Sequence, residues 1–321
     1  MSSIKKVIPK VIDIEDLEEN CSKKKKYVSS KMKNSVSPVK IIKSEIISAS
    51  RRTDIPAFYM DNILESMKNM YIDVTQKFGQ ISRISLDPTD VKCIVWWSKN
   101  YKNWIDCYLN NKNLFKQYKH MFNFTINDFT DLESGIKLSL DERLAQLKFL
   151  SDTFGSICIK YRFDPIVKWI DIETGEEKTN FHKFNKIIKF ISKCGVKEVI
   201  FAFCIPYNRV CQHMKKKGKL LIDFSDAEKA HILYRMIKIT DKHNVRLSAC
   251  CNDALVNSNK KIHHAKCIDG DVVEQIIGTE LKHNTKDKGQ RKECNCAVSR
   301  DIGSYTMKCK HSCDYCYANP E

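Results

Sequence analysis

Cys93-Ile94-Val95-Trp96-Trp97-Ser98 is an uncharged six-residue run, followed at once by Lys99, Asn100 and a helix-length segment over 101–110. A run with no polar alternation fits a strand covered on both faces, the habit of parallel sheets flanked by helices. The unit recurs along the chain. Runs at 46–50 (IISAS), 121–126 (MFNFTI), 157–163 (ICIKYRF), 199–205 (VIFAFCI) and 245–250 (VRLSAC) read as strands, as does a stretch over 71–86. Helix-length amphipathic segments at 57–69, 101–110, 141–153, 181–193 and 226–243 alternate with them. Asp223-Phe224-Ser225-Asp226 supplies a cap region for the last helix. Alternation of this kind predicts an α/β fold, a partial or complete (β/α) barrel of the TIM type.

In such barrels the polar residues just past the strands form the reactive rim. Here they are Arg51, Arg52, Thr53 and Asp54 after the first strand, and Ser98, Lys99 and Asn100 after the 93–98 run. Thr125, Asn127, Arg162, Asp164, Cys250, Cys251 and Asp253 end later strands. Asp54, two residues before Pro56, also suits a helix cap.

With 321 residues, 42% of them hydrophobic, the chain can bury one large core. Its 10 glycines and 7 prolines set aside collagenous and low-complexity classes. No stretch reaches the roughly 18 apolar residues of a membrane span. The first twenty residues lack a secretory apolar core and are too acidic for a transit peptide, so a reducing compartment, cytoplasm or nucleus, is expected. Residues 1–44 read as a disordered basic arm, 45–250 as the barrel, and 251–321 as a Cys-rich segment packed over its mouth. The formal net charge of +16 includes a lysine run at 23–26. Nucleic acid is one partner that charge suits; a plain lysine bias is the other explanation.

Eight of the fifteen cysteines fall between 250 and 321. In a reducing compartment such clustering points to metal rather than disulfides. Cys309, Cys313 and Cys316 stand at C-x3-C-x2-C spacing, with Tyr315 before the third. A short loop of this kind can hold three irons of a [4Fe–4S] cluster and leave the fourth open, whereas four thiolates suit electron transfer. An open iron can chelate S-adenosylmethionine, whose reductive cleavage gives a 5′-deoxyadenosyl radical. Tyr315 would shield the cluster or meet a nucleotide base. The competing reading is structural zinc, built from Cys313 and Cys316 with Cys294 and Cys296, or with His311 or Cys309. Cys251, Cys267, Cys294 and Cys296 form a second set, for either an auxiliary [4Fe–4S] cluster or zinc. Strand alternation would turn Cys250 away from Cys251; His263 and His264 are alternate ligands.

The segment Tyr305–Ala318 resembles the cluster loop of radical S-adenosylmethionine enzymes, especially spore photoproduct lyase and its DNA-repair-photolyase-like relatives, whose loops read roughly G-C-x-H-x-C-x-Y-C-Y-A. From about Ile46 to Ala318 the chain also resembles the family called domain of unknown function 1848. The matching stretches are ISASRRTDIPAFY (47–59), Trp97-Ser98-Lys99-Asn100, Arg162-Phe163-Asp164-Pro165-Ile166, C-N-D (251–253), C-I-D (267–269), and C-x-C with S-x-D-I-G (294–303). The expectation is an iron–sulfur, S-adenosylmethionine-dependent enzyme served by a flavodoxin- or ferredoxin-type reductant. Its cluster would sit on Cys309, Cys313 and Cys316. Arg51, Arg52, Asp54, Lys99, Asn127, Arg162 and Asp164 would bind cofactor or substrate. The alternative is a zinc- or cluster-stabilised nucleic-acid-binding protein without catalysis.

Overall fold

The 93–98 run is a strand over its whole expected length. A computed structural model describes residues 40–127 and 131–318. Its strands are β1 (Ile41–Ile42), β2 (Ile46–Ala49), β3 (Tyr71–Thr75), β4 (Ile81–Ser85), β5 (Cys93–Ser98), β6 (Lys119–Thr125) and β7 (Ile159–Ile166). They continue with β8 (Lys168–Asp171), β9 (Glu177–Thr179), β10 (Glu198–Phe203), β11 (Lys219–Ile222), β12 (Arg246–Ala249), β13 (Ile262–His264) and β14 (Arg300–Asp301).

Eight of them make one sheet in the order β13-β12-β10-β7-β6-β5-β2-β14, and every neighbouring pair is parallel. From β2 to β13 the order in space follows the order in sequence, so each link is a crossover rather than a hairpin. The expected α/β architecture with a large parallel sheet is present.

Why the strands read as apolar on both faces is visible in the packing. Ile47, Ile94, Trp96, Phe122 and Phe124 join Leu144, Leu147, Ile187, Ile188 and Met236 from the helices at 140–154, 184–193 and 226–242. The alternate residues Ile46, Cys93, Val95, Met121 and Ile200 join Cys267, Ile268, Val273, Cys294 and Cys296 on the other face. Two separate cores thus share one sheet. Capping boxes open the helices at 140–154 (Ser139 with Glu142) and 226–242 (Ser225 with Glu228), the second inside the predicted cap region.

Several sequence expectations need correction. The stretch 71–86 stays outside the large sheet: β3 and β4 pair antiparallel, with β1 beside β4. Gly79, at φ +80°, closes the turn between them, a conformation glycine adopts without a Cβ penalty. The 57–69 helix is two helices, Ile55–Phe58 and Met60–Asn69, because Tyr59 leaves the helical region at φ −132°. Ile41–Ile42, expected in the arm, is strand; residues 1–39 lie outside the described residues. The Cys-rich segment, expected only to pack over the strand ends, contributes β13 and β14 to the sheet itself. Val39–Glu321 forms one compact unit.

A smaller antiparallel sheet, β11-β8-β9, and an unforeseen helix at 208–216 build a third core. It packs Leu132, Val167, Trp169, Val210, Met214 and Leu221 against Cys313 and Tyr315. Among the described residues no helix is long and apolar enough to cross a membrane.

Candidate functional site

The C-terminal ends of the parallel strands open on a cavity of about 780 Å³. Arg51, Arg52 and Asp54 reach it from the end of β2, Lys99 from β5, and Arg162 and Asp164 from β7. Both cysteine sets line the same space: Cys309, Cys313 and Cys316, and also Cys250, Cys251, Cys267, Cys294 and Cys296. Asn127 does not line it. Fully buried behind the wall, its Nδ2 donates to Glu133 Oε1 (3.1 Å), Tyr315 Oη (3.1 Å) and the Asp164 carbonyl (3.2 Å).

The loop carrying the triad is mounted from several sides. Gly135 N donates to the His311 carbonyl at 2.9 Å, and Asp314 N to the Leu132 carbonyl at 2.8 Å. A Cβ on Gly135 would come within 2.2 Å of the Lys310 carbonyl oxygen, so only glycine allows this approach. Lys219 Nζ reaches Asp314 Oδ2 at 2.8 Å, tying the small sheet to the loop. Asp54 is the central anchor. Its Oδ1 caps the 55–58 helix through Ala57 N at 3.0 Å. Its Oδ2 accepts from Ser98 Oγ (2.9 Å) and Lys99 N (2.9 Å), and lies 2.7 Å from His311 Nε2. His311 rests against Phe58 at a ring separation of 4.7 Å. Asp54 therefore holds the loop in place and has its acceptor capacity used by protein groups.

Tyr315 is buried, and its hydroxyl donates to Glu133 while accepting from Lys99 Nζ at 2.9 Å. Lys99 Nζ also pairs with Glu133 Oε1 at 2.8 Å, and Arg143 Nη1 lies 3.8 Å from Glu133 Oε2. Burial pushes the Glu133 carboxyl up, but the Lys99 charge and hydrogen bond outweigh it and hold the group below its usual range. Burial, then the Glu133 charge, pushes the Tyr315 hydroxyl well up, so it stays a proton donor. Glu133 and Arg143 were not foreseen: neither follows one of the runs read as strands.

The second cysteine set is a ring of five. Cys250 Sγ lies 3.9 Å from both Cys251 Sγ and Cys267 Sγ. Cys251 neighbours Cys294, Cys294 neighbours Cys296, and Cys296 neighbours Cys267 through thiol contacts. The thiol contacts pull Cys250 and Cys296 down and push Cys251 and Cys267 up. The expectation that Cys250 and Cys251 diverge is corrected. β12 ends at Ala249, and Cys251 takes φ +48°, so strand alternation no longer governs the pair. His263 and His264 lie on β13 outside the cavity lining; His264 Nδ1 is 3.5 Å from Asp253 Oδ1. Among the described residues no three His, Cys, Asp or Glu side chains close around one point as a metal site.

Arginines surround this ring. Arg162 Nη1 donates to Cys267 Sγ at 2.5 Å and its Nη2 pairs with Asp164. Arg51 and Arg162 both lie over Trp97, at 5.6 and 5.3 Å from its ring centre. Burial pushes the Asp164 carboxyl up, further than Arg162 pulls it down. Asp301, on β14, fastens the end of β2: its carboxylate accepts from Ser48 Oγ (3.0 Å), Ser50 Oγ (2.8 Å) and Arg51 N (2.8 Å). Gly303 completes that joint, since a Cβ there would meet Ser50 Oγ at 2.0 Å. This explains the S-x-D-I-G stretch physically.

No curated protein and no solved structure matches the chain. One family does, over residues 46–318, which takes in β2 to β14, both cysteine sets and the cavity between them. The chain belongs to that family, described as Domain of unknown function (DUF1848).

Proposed function

We propose that this chain is an iron–sulfur, S-adenosylmethionine-dependent radical enzyme, with Cys309, Cys313 and Cys316 holding a [4Fe–4S] cluster at the edge of the cavity. One observation carries the reading: a C-x3-C-x2-C loop lines the same cavity as the charged residues Arg51, Arg52, Lys99, Arg162 and Asp164 at the parallel strand ends. We read the sheet as rolled into a complete or nearly complete barrel. Its sequential strand order supports this, as does Ala297 N donating to the Ile268 carbonyl at 2.9 Å, a bond between the chain leaving β13 and the chain entering β14.

The donor set fits a cluster. Cys309 Sγ accepts from the backbone N–H of His311 and of Asp54, and the Lys99 charge acts on Cys313. Those groups favour thiolate. Burial works the other way and holds the unligated Cys309 thiol up at about 11, so loading releases protons. The chemistry a bound cluster supplies is one electron to the sulfonium of S-adenosylmethionine, breaking a C–S bond to give methionine and a 5′-deoxyadenosyl radical.

The chain's own residues do the rest. Among the described residues Arg51 Nη2 is buried without a hydrogen-bond partner, and Arg51 lines the cavity. It is a ready donor to the carboxylate of the cofactor or to an anionic substrate group. Lys99, Glu133 and Asn127 lock Tyr315 beside the loop, and Val210 and Met214 back Cys313 with apolar surface that excludes water. The electron comes from a flavodoxin- or ferredoxin-type donor. After anaerobic reconstitution with iron and sulfide, the dithionite-reduced protein is expected to form 5′-deoxyadenosine from S-adenosylmethionine. A protein with an intact, reducible cluster that forms none contradicts the proposal.

A further inference from the structure

We propose that the five-thiol ring is a second, structural metal centre: an all-thiolate zinc site on Cys251, Cys267, Cys294 and Cys296 that clasps the two edges of the eight-stranded sheet. Cys267 follows β13, one edge strand, and Cys294 and Cys296 precede β14, the other edge. Cys251 follows β12. One ion on these sulfurs would join chain segments that otherwise meet through few bonds, chiefly Ala297 N to the Ile268 carbonyl.

Spacing favours a single ion. Tetrahedral zinc with Zn–S bonds of about 2.3 Å sets its sulfurs about 3.8 Å apart. Among the four proposed ligands, Cys251–Cys294, Cys294–Cys296 and Cys296–Cys267 are in direct thiol contact, and Cys251 and Cys267 each lie 3.9 Å from the intervening Cys250. A cubane cluster instead places each thiolate on its own iron, which calls for wider spacing. As thiols the five sulfurs touch in a ring without closing on a centre. Binding a metal as thiolates, with their protons released to solvent, would draw four of them inward and leave Cys250, the fifth, on the cavity wall.

Charge and backbone agree. Arg162 contacts Cys267, the Arg51 charge acts on Cys296, and the Arg291 charge acts on Cys251 and Cys250. Asp164 neutralises one of these three guanidiniums. Zinc with four thiolates carries a net charge of minus two, which meets the other two. Ile268 N points at Cys296 Sγ from 3.4 Å, the kind of backbone donor that supports a metal thiolate. Cys251 holds a left-handed φ of +48°, a conformation side chains rarely keep without a reason. It turns that thiol toward Cys250 and Cys294.

This site stands whether or not the terminal triad carries a cluster, and its test avoids catalysis. The full chain bearing Cys309→Ala, Cys313→Ala and Cys316→Ala is purified anaerobically without reconstitution, and its zinc, iron and acid-labile sulfide are measured. About one zinc per chain is expected, with no sulfide, and four sulfur neighbours at about 2.3 Å by X-ray absorption at the zinc edge. Adding Cys267→Ser and Cys296→Ser should lower bound zinc at least tenfold, while adding Cys250→Ser should leave it in place. Should the double variant not fold, cobalt exchanged into the triad-free chain gives the second readout: tetrahedral thiolate bands are expected. Iron in the ring, with or without sulfide, overturns the zinc assignment. So does a folded, metal-free chain in which these five thiols all titrate freely.

Discussion

Alanine at Cys309, Cys313 or Cys316 is expected to lower 5′-deoxyadenosine formation by roughly a thousandfold or more, equivalent to at least about 4 kcal/mol of barrier. Each variant removes one of the three thiolates on which the cluster depends. The fold should survive, because other groups mount the loop: Gly135 N on the His311 carbonyl, Asp314 N on the Leu132 carbonyl, and Lys219 on Asp314. Far-UV circular dichroism should therefore overlay the wild type while the anaerobic assay falls to background. Cleavage within tenfold of wild type in any of the three would remove that cysteine from the site.

Glu133→Ala carries the largest expected cost in stability, about 3–5 kcal/mol, because it strands buried cations without their carboxylate. Lys99 and Arg143 both face Glu133, and the Arg143 side chain is only 1% exposed. Tyr315 loses its acceptor in the same stroke. Glu133→Gln keeps an oxygen for Lys99 and Tyr315, so its loss should be smaller. The pH dependence gives a second check. Lys99 and Tyr315 hold the folded Glu133 below the ordinary glutamate range against the opposing effect of burial. A depressed folded value means the unfolded chain binds the proton first as pH falls. The stabilisation is then complete above about 4.3, the usual glutamate value, and is lost as pH drops below it. Urea unfolding at pH 7 and at pH 4 and below should show this loss in wild type, with the Glu133 share missing from Glu133→Ala. An alanine variant as stable as wild type at pH 7 would mean that the buried network contributes nothing.

Much of the frame was legible because the parallel strands are long enough to show it. The run at 93–98 emerged as β5 unchanged, and the runs beginning at 46, 121, 157, 199 and 245 all fall on strands of the same sheet. β13 and β14 were not legible, since three and two residues beside lysines and arginines carry no period to read. The helix at 208–216 was hidden by its charge: Arg209, Lys215 and Lys216 mask the apolar pair Val210 and Met214. At the site, the strand-end rule placed Arg51, Arg52, Asp54, Lys99, Arg162 and Asp164 on one cavity. It placed Asn127 there too, although that side chain turns into the wall, because the rule fixes a residue's height in the sheet and not its partners. Glu133 had no signal at all. Its burial comes from the packing of 131–136 against the C-terminal loop, a contact made 178 residues apart between Ser134 and Ser312. The sequence grouped both cysteine sets in one Cys-rich segment over the strand ends, but spacing alone did not show that 250–251, 267 and 294–296 line the same cavity as 309, 313 and 316; that needs the sheet order.

The central claim is that the terminal triad leaves one iron of a [4Fe–4S] cluster without a protein ligand. Iron-57 Mössbauer spectra of the reconstituted protein, recorded before and after adding S-adenosylmethionine, test it most directly. The account predicts that one iron site in four changes its isomer shift on addition while the other three hold theirs. Four irons that ignore the cofactor, or a loaded protein with no [4Fe–4S] signal on this loop, would contradict it.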